Sequence, residues 1–309
     1  MLRFGNRIGV AASLIAVLSV AIGSVAAMSP REQMTSLASA SERALRVSPP
    51  AAEPDSSPDP VPPPSGHTAP VGDRGPWKQV FLDDFGSDVA LGEFPSRVSS
   101  QWTAYPSPWN DTSRNGMYAP ERVVSISDGV LRKDLRSENG QPLVAALQPK
   151  LTGVGPGGML YGRYEVRARF DRLPGYKVAW LLWPSGSGAS WPEHGEVDWP
   201  EADLGDDFAM GFVHHWGAKT GSDQSHVRAD VSLQDWHTYT IEWTPGADQR
   251  GLIVLYLDGV PILRVTDRVP QAPMRWVIQT ETQLGGGPPQ PGVRGAVEID
   301  WAAAWAYRP

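Results

Sequence analysis

Between positions 191 and 205 the chain reads WPEHGEVDWPEADLG, and Glu196, Asp198 and Glu201 are the residues in it suited to acid–base chemistry. In a β-strand Glu196 and Asp198 share one face and Val197 and Trp199 the other, so strict alternation sends Glu201 the wrong way. Pro200 alters that count. A proline cannot donate to a sheet ladder and is tolerated inside sheets mainly at edges or bulges. One extra residue at a bulge restores the phase and returns Glu201 to the face of Glu196 and Asp198. Three carboxylates in a row repel one another and force at least one proton to be retained. The alternative, a solvated acidic strand or a metal-binding variant of it, fits poorly with the alternation against Val197 and Trp199. Glycoside hydrolysis does require one ionised and one protonated carboxyl group flanking the scissile bond. Four effective strand steps put the outer Cα atoms about 13 Å apart. Two glutamates leaning inward on a concave surface each recover about 4 Å, leaving a gap near the ~5–5.5 Å of retaining enzymes.

Elements able to hold such a row follow Trp77, where short stretches of period-two alternation are separated by Gly, Pro, Asp and Asn. In YEVRARF, Tyr164, Val166, Ala168 and Phe170 fall on one face and Glu165, Arg167 and Arg169 on the other. YTIEWTPG repeats the pattern with Tyr239, Ile241 and Trp243, and VEIDWAAAWAY sets Val297, Ile299 and Trp301 against Glu298 and Asp300. LIVLYLDGVPILRV carries Asp258-Gly259 between two apolar runs, a strong signal for a tight hairpin. With no convincing amphipathic helix and no internal repeat, the expected fold is an all-β sandwich of two antiparallel sheets, one of them concave.

The 309 residues carry a formal net charge of −7, and the pI is near 5.4, so there is no basic field for nucleic acid or a strongly anionic polymer. A neutral partner fits better. Thirteen tryptophans suit sugar rings as well as cores, and core packing is expected to claim more than half of them. Arg3 and Arg7, an apolar run from Ile8 to Val25 and the small residues Ala26 and Ala27 have the layout of a signal peptide, residues 1–27, with an uncleaved anchor as the alternative. The expected location is therefore outside the cell, with membrane contact only through that segment if it is retained. Without cysteines, stability must come from the core. Residues 28–76, Pro-rich from about Pro49, read as a disordered linker, and 77–309 as the catalytic domain.

GEVDWPE resembles the bulged Glu-x-Asp-x-x-Glu signature of glycoside hydrolase family 16, which includes laminarinases, lichenases, agarases and carrageenases. WKQVFLDDF, YGRYEVRARF, AWLLWPSGSGASWPEHGE, WHTYTIEWTPG, LYLDGVPI and VEIDWAAAWAY resemble its other strands, so the likeness spans essentially all of 77–309. The resemblance implies a β-jelly-roll and a retaining endo-hydrolase of neutral β-1,3- or mixed β-1,3/1,4-glucan, expected to be a monomer. It implies Glu196 as nucleophile, Glu201 as acid/base and Asp198 as the group orienting the nucleophile. A histidine in a His-aromatic-Gly context on the next strand corresponds to His215, or to His214 if the register slips by one. Trp191 and Trp183 match sugar platforms. Trp109 and Asn115 sit in a loop suited to the cleft rim, and Arg167 could bond hydroxyls or form a surface ion pair. Gln279 stands in RWVIQTETQLGGG where many members have an asparagine, and Glu281 then adds an acid to the same face. No cofactor is required for the implied catalysis; a structural calcium could draw on Asp84 and Asp300.

A galactan substrate or transglycosylation stays compatible with the same residues. A lectin-like module would keep the tryptophans and need no carboxylate pair, and a polysaccharide lyase would want a cationic cleft that this acidic chain lacks.

Overall fold

The structure, a computed structural model, describes residues 62–248 and 250–309. The signal segment and the linker up to residue 61 lie outside the described residues, and among the described ones no helix is long and apolar enough to cross a membrane.

Among the described residues sixteen strands follow one another: β1 (Trp77–Asp83), β2 (Trp102–Ala104), β3 (Met117–Tyr118), β4 (Val124–Ser127), β5 (Val130–Glu138), β6 (Gln141–Pro149), β7 (Gly162–Phe170) and β8 (Tyr176–Pro184), then β9 (Glu196–Asp203), β10 (Phe208–His214), β11 (Gln224–Asp230), β12 (His237–Thr244), β13 (Leu252–Leu257), β14 (Val260–Val265), β15 (Met274–Thr282) and β16 (Gly295–Tyr307). One sheet runs β11-β10-β9-β8-β15-β6, and the other β5-β16-β7-β12-β13-β14; the β5–β6 hairpin joins them. This is the expected jelly-roll sandwich. The Asp258-Gly259 hairpin forms as read, with φ of 49° and 79° at the two turn residues and Leu257 paired with Val260.

The alternating faces meet in one core. Phe170 stacks on Tyr239 at 5.8 Å, and Trp180 meets both edge-on. Seven of the thirteen tryptophans are buried, so packing does claim more than half of them.

The strand β16 departs from simple alternation. Its register against β7 shifts between Ile299 and Trp301, so Val297 and Ile299 face the core while Trp301, opposite Arg167, faces outward. Trp301, Ala303 and Trp305 form a second apolar cluster on the outside of the sandwich. The Pro-rich segment covers it. The Trp301 indole N–H donates to the His67 carbonyl, the Trp305 N–H donates to that of Gly72, and the Arg74 guanidinium lies 5.1 Å from the Trp305 ring centre. Residues 62–76 are thus part of the domain and not of a linker. A segment rich in proline lacks N–H donors but keeps its carbonyls, which is what exposed indole N–H groups need.

Lys133 on β5 is fully buried, with Nζ donating to the carbonyl of Ile278 at 2.8 Å and to Thr280 Oγ1 at 3.1 Å. Burial lowers its pKa to about 7. The unfolded chain therefore holds more protons than the folded one between that value and 10.5, and stability rises with pH across the window. Lys133→Met is expected to raise the unfolding temperature by several degrees at pH 7, with the advantage shrinking to nothing near pH 10.5, as thermal unfolding at a series of pH values will show.

Candidate active site

The phase of β9 is set by one extra residue. Asp198 pairs with Phe212 and Glu201 with Met210, three steps on β9 against two on β10; on the other side Asp198 pairs with Leu181 and Glu201 with Ala179, again three against two. Trp199 and Pro200 occupy the bulge. Trp199 turns into the core, where its indole N–H donates to the Tyr256 carbonyl at 2.8 Å, and Glu196, Asp198 and Glu201 emerge on the concave face. Gly195, with φ of 74°, lets the chain enter the strand beside the His214 carbonyl, which a Cβ there would approach to 2.6 Å.

His214, opposite Glu196, completes the cluster: its Nε2 is 3.5 Å from Asp198 Oδ2 and 3.9 Å from Glu196 Oε2. Burial pushes the Glu196 carboxyl well above its ordinary range, the charge of Asp198 adds to this, and His214 and a hydrogen bond from Trp191 pull the other way. Asp198 is likewise raised by burial and by the charge of Glu201, against Lys177 and a hydrogen bond with Glu196. The Glu196 and Asp198 carboxyls, hydrogen-bonded to each other, retain protons where isolated acids would have lost them. Glu201 is the most exposed of the three, and its Oε1 accepts from Lys177 Nζ at 3.1 Å.

Trp183, at the end of β8, stacks against Trp191 with centroids 6.3 Å apart and planes 14° from parallel; the Trp191 ring meets His214 edge-on at 6.1 Å. Trp191 lies over Gly221, where a Cβ would come within 2.6 Å of the indole. Trp191 is 44% exposed, so the pair offers a flat apolar platform next to Glu196. Gln279 on β15 pairs with Ala179, which pairs with Glu201, so it lies on the same face one strand further along. Trp109 is exposed beside Tyr105, and Asn115 belongs to the same loop, which Asp111 ties to the end of β15 through the Thr282 N–H at 2.7 Å. Both therefore stand at the rim.

Two expectations change. His215 does not join the carboxylates: β10 ends at His214, and the His215 ring is held between Asp223 Oδ1 and Ser225 Oγ, each at 2.9 Å. His214 takes the place beside the acids. Arg167 is on the outer sheet, where it donates to Ser65 Oγ, Thr238 Oγ1 and Asp258 Oδ1, so the ion-pair alternative is the one realised. Asp84 and Asp300 line one outer cavity, where Asp300 Oδ2 accepts from both the N–H and the hydroxyl of Ser65. Lys177 is a further charge at this site that the sequence marks only faintly. A lone charge in YKVAWLLWP, in phase with Ala179, Leu181 and Trp183, was its available signal.

Residues 156–303 match the family model "Glycosyl hydrolases family 16". A β-glucanase of Rhodothermus marinus is 30% identical over 191 residues, which are 56% of this chain and 62% of that relative; the chain thus spans about three fifths of that protein's length. The clotting factor G alpha subunit of Tachypleus tridentatus is 27% identical over 88 residues, 27% of this chain and 13% of its own length. Among solved structures, the endo-1,3-beta-glucanase from Streptomyces sioyaensis superposes with a TM-score of 0.61 at 21% identity, covering 78% of this chain and all of that one. The laminarinase from Rhodothermus marinus gives 0.60 at 22%, covering 75% and 98%. These likenesses show the same fold.

Because Glu196 and Asp198 have folded-state pKa values above their ordinary 4.5 and 3.8, the unfolded chain holds fewer protons in the window above those values, and stability falls as pH rises through it. Glu196→Gln and Asp198→Asn are each expected to raise the unfolding temperature at pH 7, by about 2–4 °C per kcal/mol recovered in a domain of this size. Below pH 3.8, where both forms of the chain are protonated, calorimetry is expected to find the gain gone.

Proposed function

Taking as premise that this chain belongs to glycoside hydrolase family 16, we propose that it is a retaining endo-hydrolase of β-1,3- or mixed β-1,3/1,4-glucan, with Glu196 as nucleophile and Glu201 as acid/base. The observation that carries the reading is the bulge at Trp199-Pro200, through which Glu196, Asp198 and Glu201 form one row on the concave face beside an aromatic platform.

In the first step an oxygen of Glu196 attacks the anomeric carbon, the bond to the leaving sugar breaks, and Glu201 gives its proton to the departing oxygen. A covalent glycosyl-enzyme results. In the second step the Glu201 carboxylate takes a proton from water, whose oxygen attacks the same carbon and releases Glu196 with the original configuration. Asp198 serves the nucleophile by hydrogen bonding to it, although its charge repels a charge on Glu196. His214, beside both, offsets part of that repulsion. Trp191 and Trp183 offer faces for pyranose rings, each stacked ring worth about 1–3 kcal/mol by area.

The choice of glucan follows the activities of similar proteins of known structure, several of which are β-1,3- or β-1,3(4)-glucanases. Export through the N-terminal segment would bring such an enzyme to polymers that cannot enter a cell.

Reducing-end release from laminarin, lichenan, agarose and arabinogalactan tests the reading, with products followed by proton NMR. Laminarin or lichenan is expected to be cut, with the β-anomer appearing first. Cleavage of agarose or arabinogalactan alone would reassign the substrate, and transfer to added oligosaccharide in preference to water would make the chain a transglycosylase. Glu201→Gln is expected to lose about 10²–10⁴-fold in kcat and Glu196→Gln all measurable turnover; wild-type rates in either variant would overturn the assignment. Trp191→Ala is expected to raise KM by about 5–100-fold with a smaller change in kcat.

A further inference from the structure

Lys177 is a buried cation on the cleft floor, with a side chain 6% exposed. In register it lies between Asp203 of β9 and Glu281 of β15. Its Nζ is 3.1 Å from Glu201 Oε1 and 4.0 Å from Glu281 Oε2. Burial works against its charge, but Glu201, Glu281 and Asp198 together outweigh burial and raise its pKa, so it stays protonated.

Glu281 is built into place. It is fully buried, and its Oε1 accepts from the Thr112 N–H at 3.1 Å, the Thr112 hydroxyl at 2.8 Å and the Tyr118 hydroxyl. Oε2 has no hydrogen-bond partner and faces Lys177. The loop supplying Thr112 is pinned in turn by Asp111, which accepts from the Thr282 N–H and hydroxyl and from the Gly116 N–H. A charge held this firmly cannot swing away from Lys177, whereas Glu201, at 29% side-chain exposure, opens on the cleft.

We propose that Lys177 is a positioning residue for Glu201, holding Oε1 so that Oε2 is the oxygen that exchanges the proton, and that Glu281 is the fixed counter-charge that keeps this lysine from holding Glu201 permanently ionised. This rests on Glu201 being the acid/base. That residue must be neutral in one half of the cycle and charged in the other. An uncompensated ammonium at 3.1 Å would favour the charged half alone; a lysine shared with a second carboxylate leaves the two within reach of each other. The other ionisable groups that interact with Lys177, Glu201 or Glu281 are Glu196, Asp198 and Asp203 from β9, and Tyr105 and Tyr118 beside β15. Asp203 Oδ2 is already engaged by Gln283 at 2.8 Å.

The test is the pH profile of kcat/KM on a soluble glucan, with fold integrity checked by tryptophan fluorescence. Lys177→Met removes a cation and is expected to move the alkaline limb up by about one pH unit and to lower kcat more than it changes KM. Glu281→Gln removes the counter-charge and is expected to move the same limb down by about half as much. Opposite shifts are what a merely structural pair would not produce. Limbs that stay put, or move in the same direction in both variants, overturn the proposal; if Lys177→Met does not fold, the direction of the Glu281→Gln shift decides. Glu201→Gln is run alongside on an aryl glycoside with a good leaving group, with and without azide. Wild-type turnover of glucan by this variant sinks the acid/base reading itself, while a Glu201→Gln crippled on glucan but azide-rescued on the aryl glycoside, beside unmoved limbs, sinks only the role of Lys177 and Glu281.

Discussion

Without one extra residue between Asp198 and Glu201, Glu201 would point into the core beside Val197 and leave a buried carboxylate among aromatic rings. The bulge at Trp199-Pro200 prevents that and at the same time drives Trp199 inward, where its indole N–H reaches the Tyr256 carbonyl. One local irregularity thus serves both faces of the sheet: it completes the acidic row above and seats a large side chain below. The neighbouring strands match it, since both β8 and β10 skip at the same place.

Crowding three carboxyls on one strand has an electrostatic cost, and the surroundings are arranged to limit it. His214 and Lys177 approach from the strands on either side, at opposite ends of the row. Glu281, anchored by Thr112 and Tyr118, extends the alternation of charge toward the rim. The residual burden appears as raised pKa values at Glu196 and Asp198, caused first by burial and then by their neighbours. A site tuned this way trades stability for readiness, and the large aromatic core between the sheets supplies the reserve.

The outer face carries a second, smaller solution to a similar problem. A register shift at Asp300 turns Trp301 and Trp305 outward, and the segment from Pro62 to Pro76 shields them with its carbonyls. Asp300 itself is satisfied by Ser65, and Arg167 is drawn into the same network, away from the cleft.

Much of this was legible in the residues. Period-two alternation specified strands, Asp258-Gly259 specified a hairpin, and Pro200 announced its bulge because proline cannot stay in a ladder. Local chemistry determined those features, and the sequence by itself determined the all-β class and the acidic row. The shift at Asp300 has no proline or glycine to announce it, so simple alternation puts Trp301 on the wrong face. The choice between His214 and His215 depends on where β10 ends, and the placing of Arg167 on which sheet β7 joins. Composition alone made residues 62–76 look like a spacer, because a segment with little apolar content shows no sign of the indoles that will seek its carbonyls. Lys177 and Glu281 lie more than a hundred residues apart and acquire meaning only when β8 and β15 pair. Those were decisions of the tertiary structure, since register and long-range pairing come from the packing of whole sheets and leave no mark on neighbouring residues.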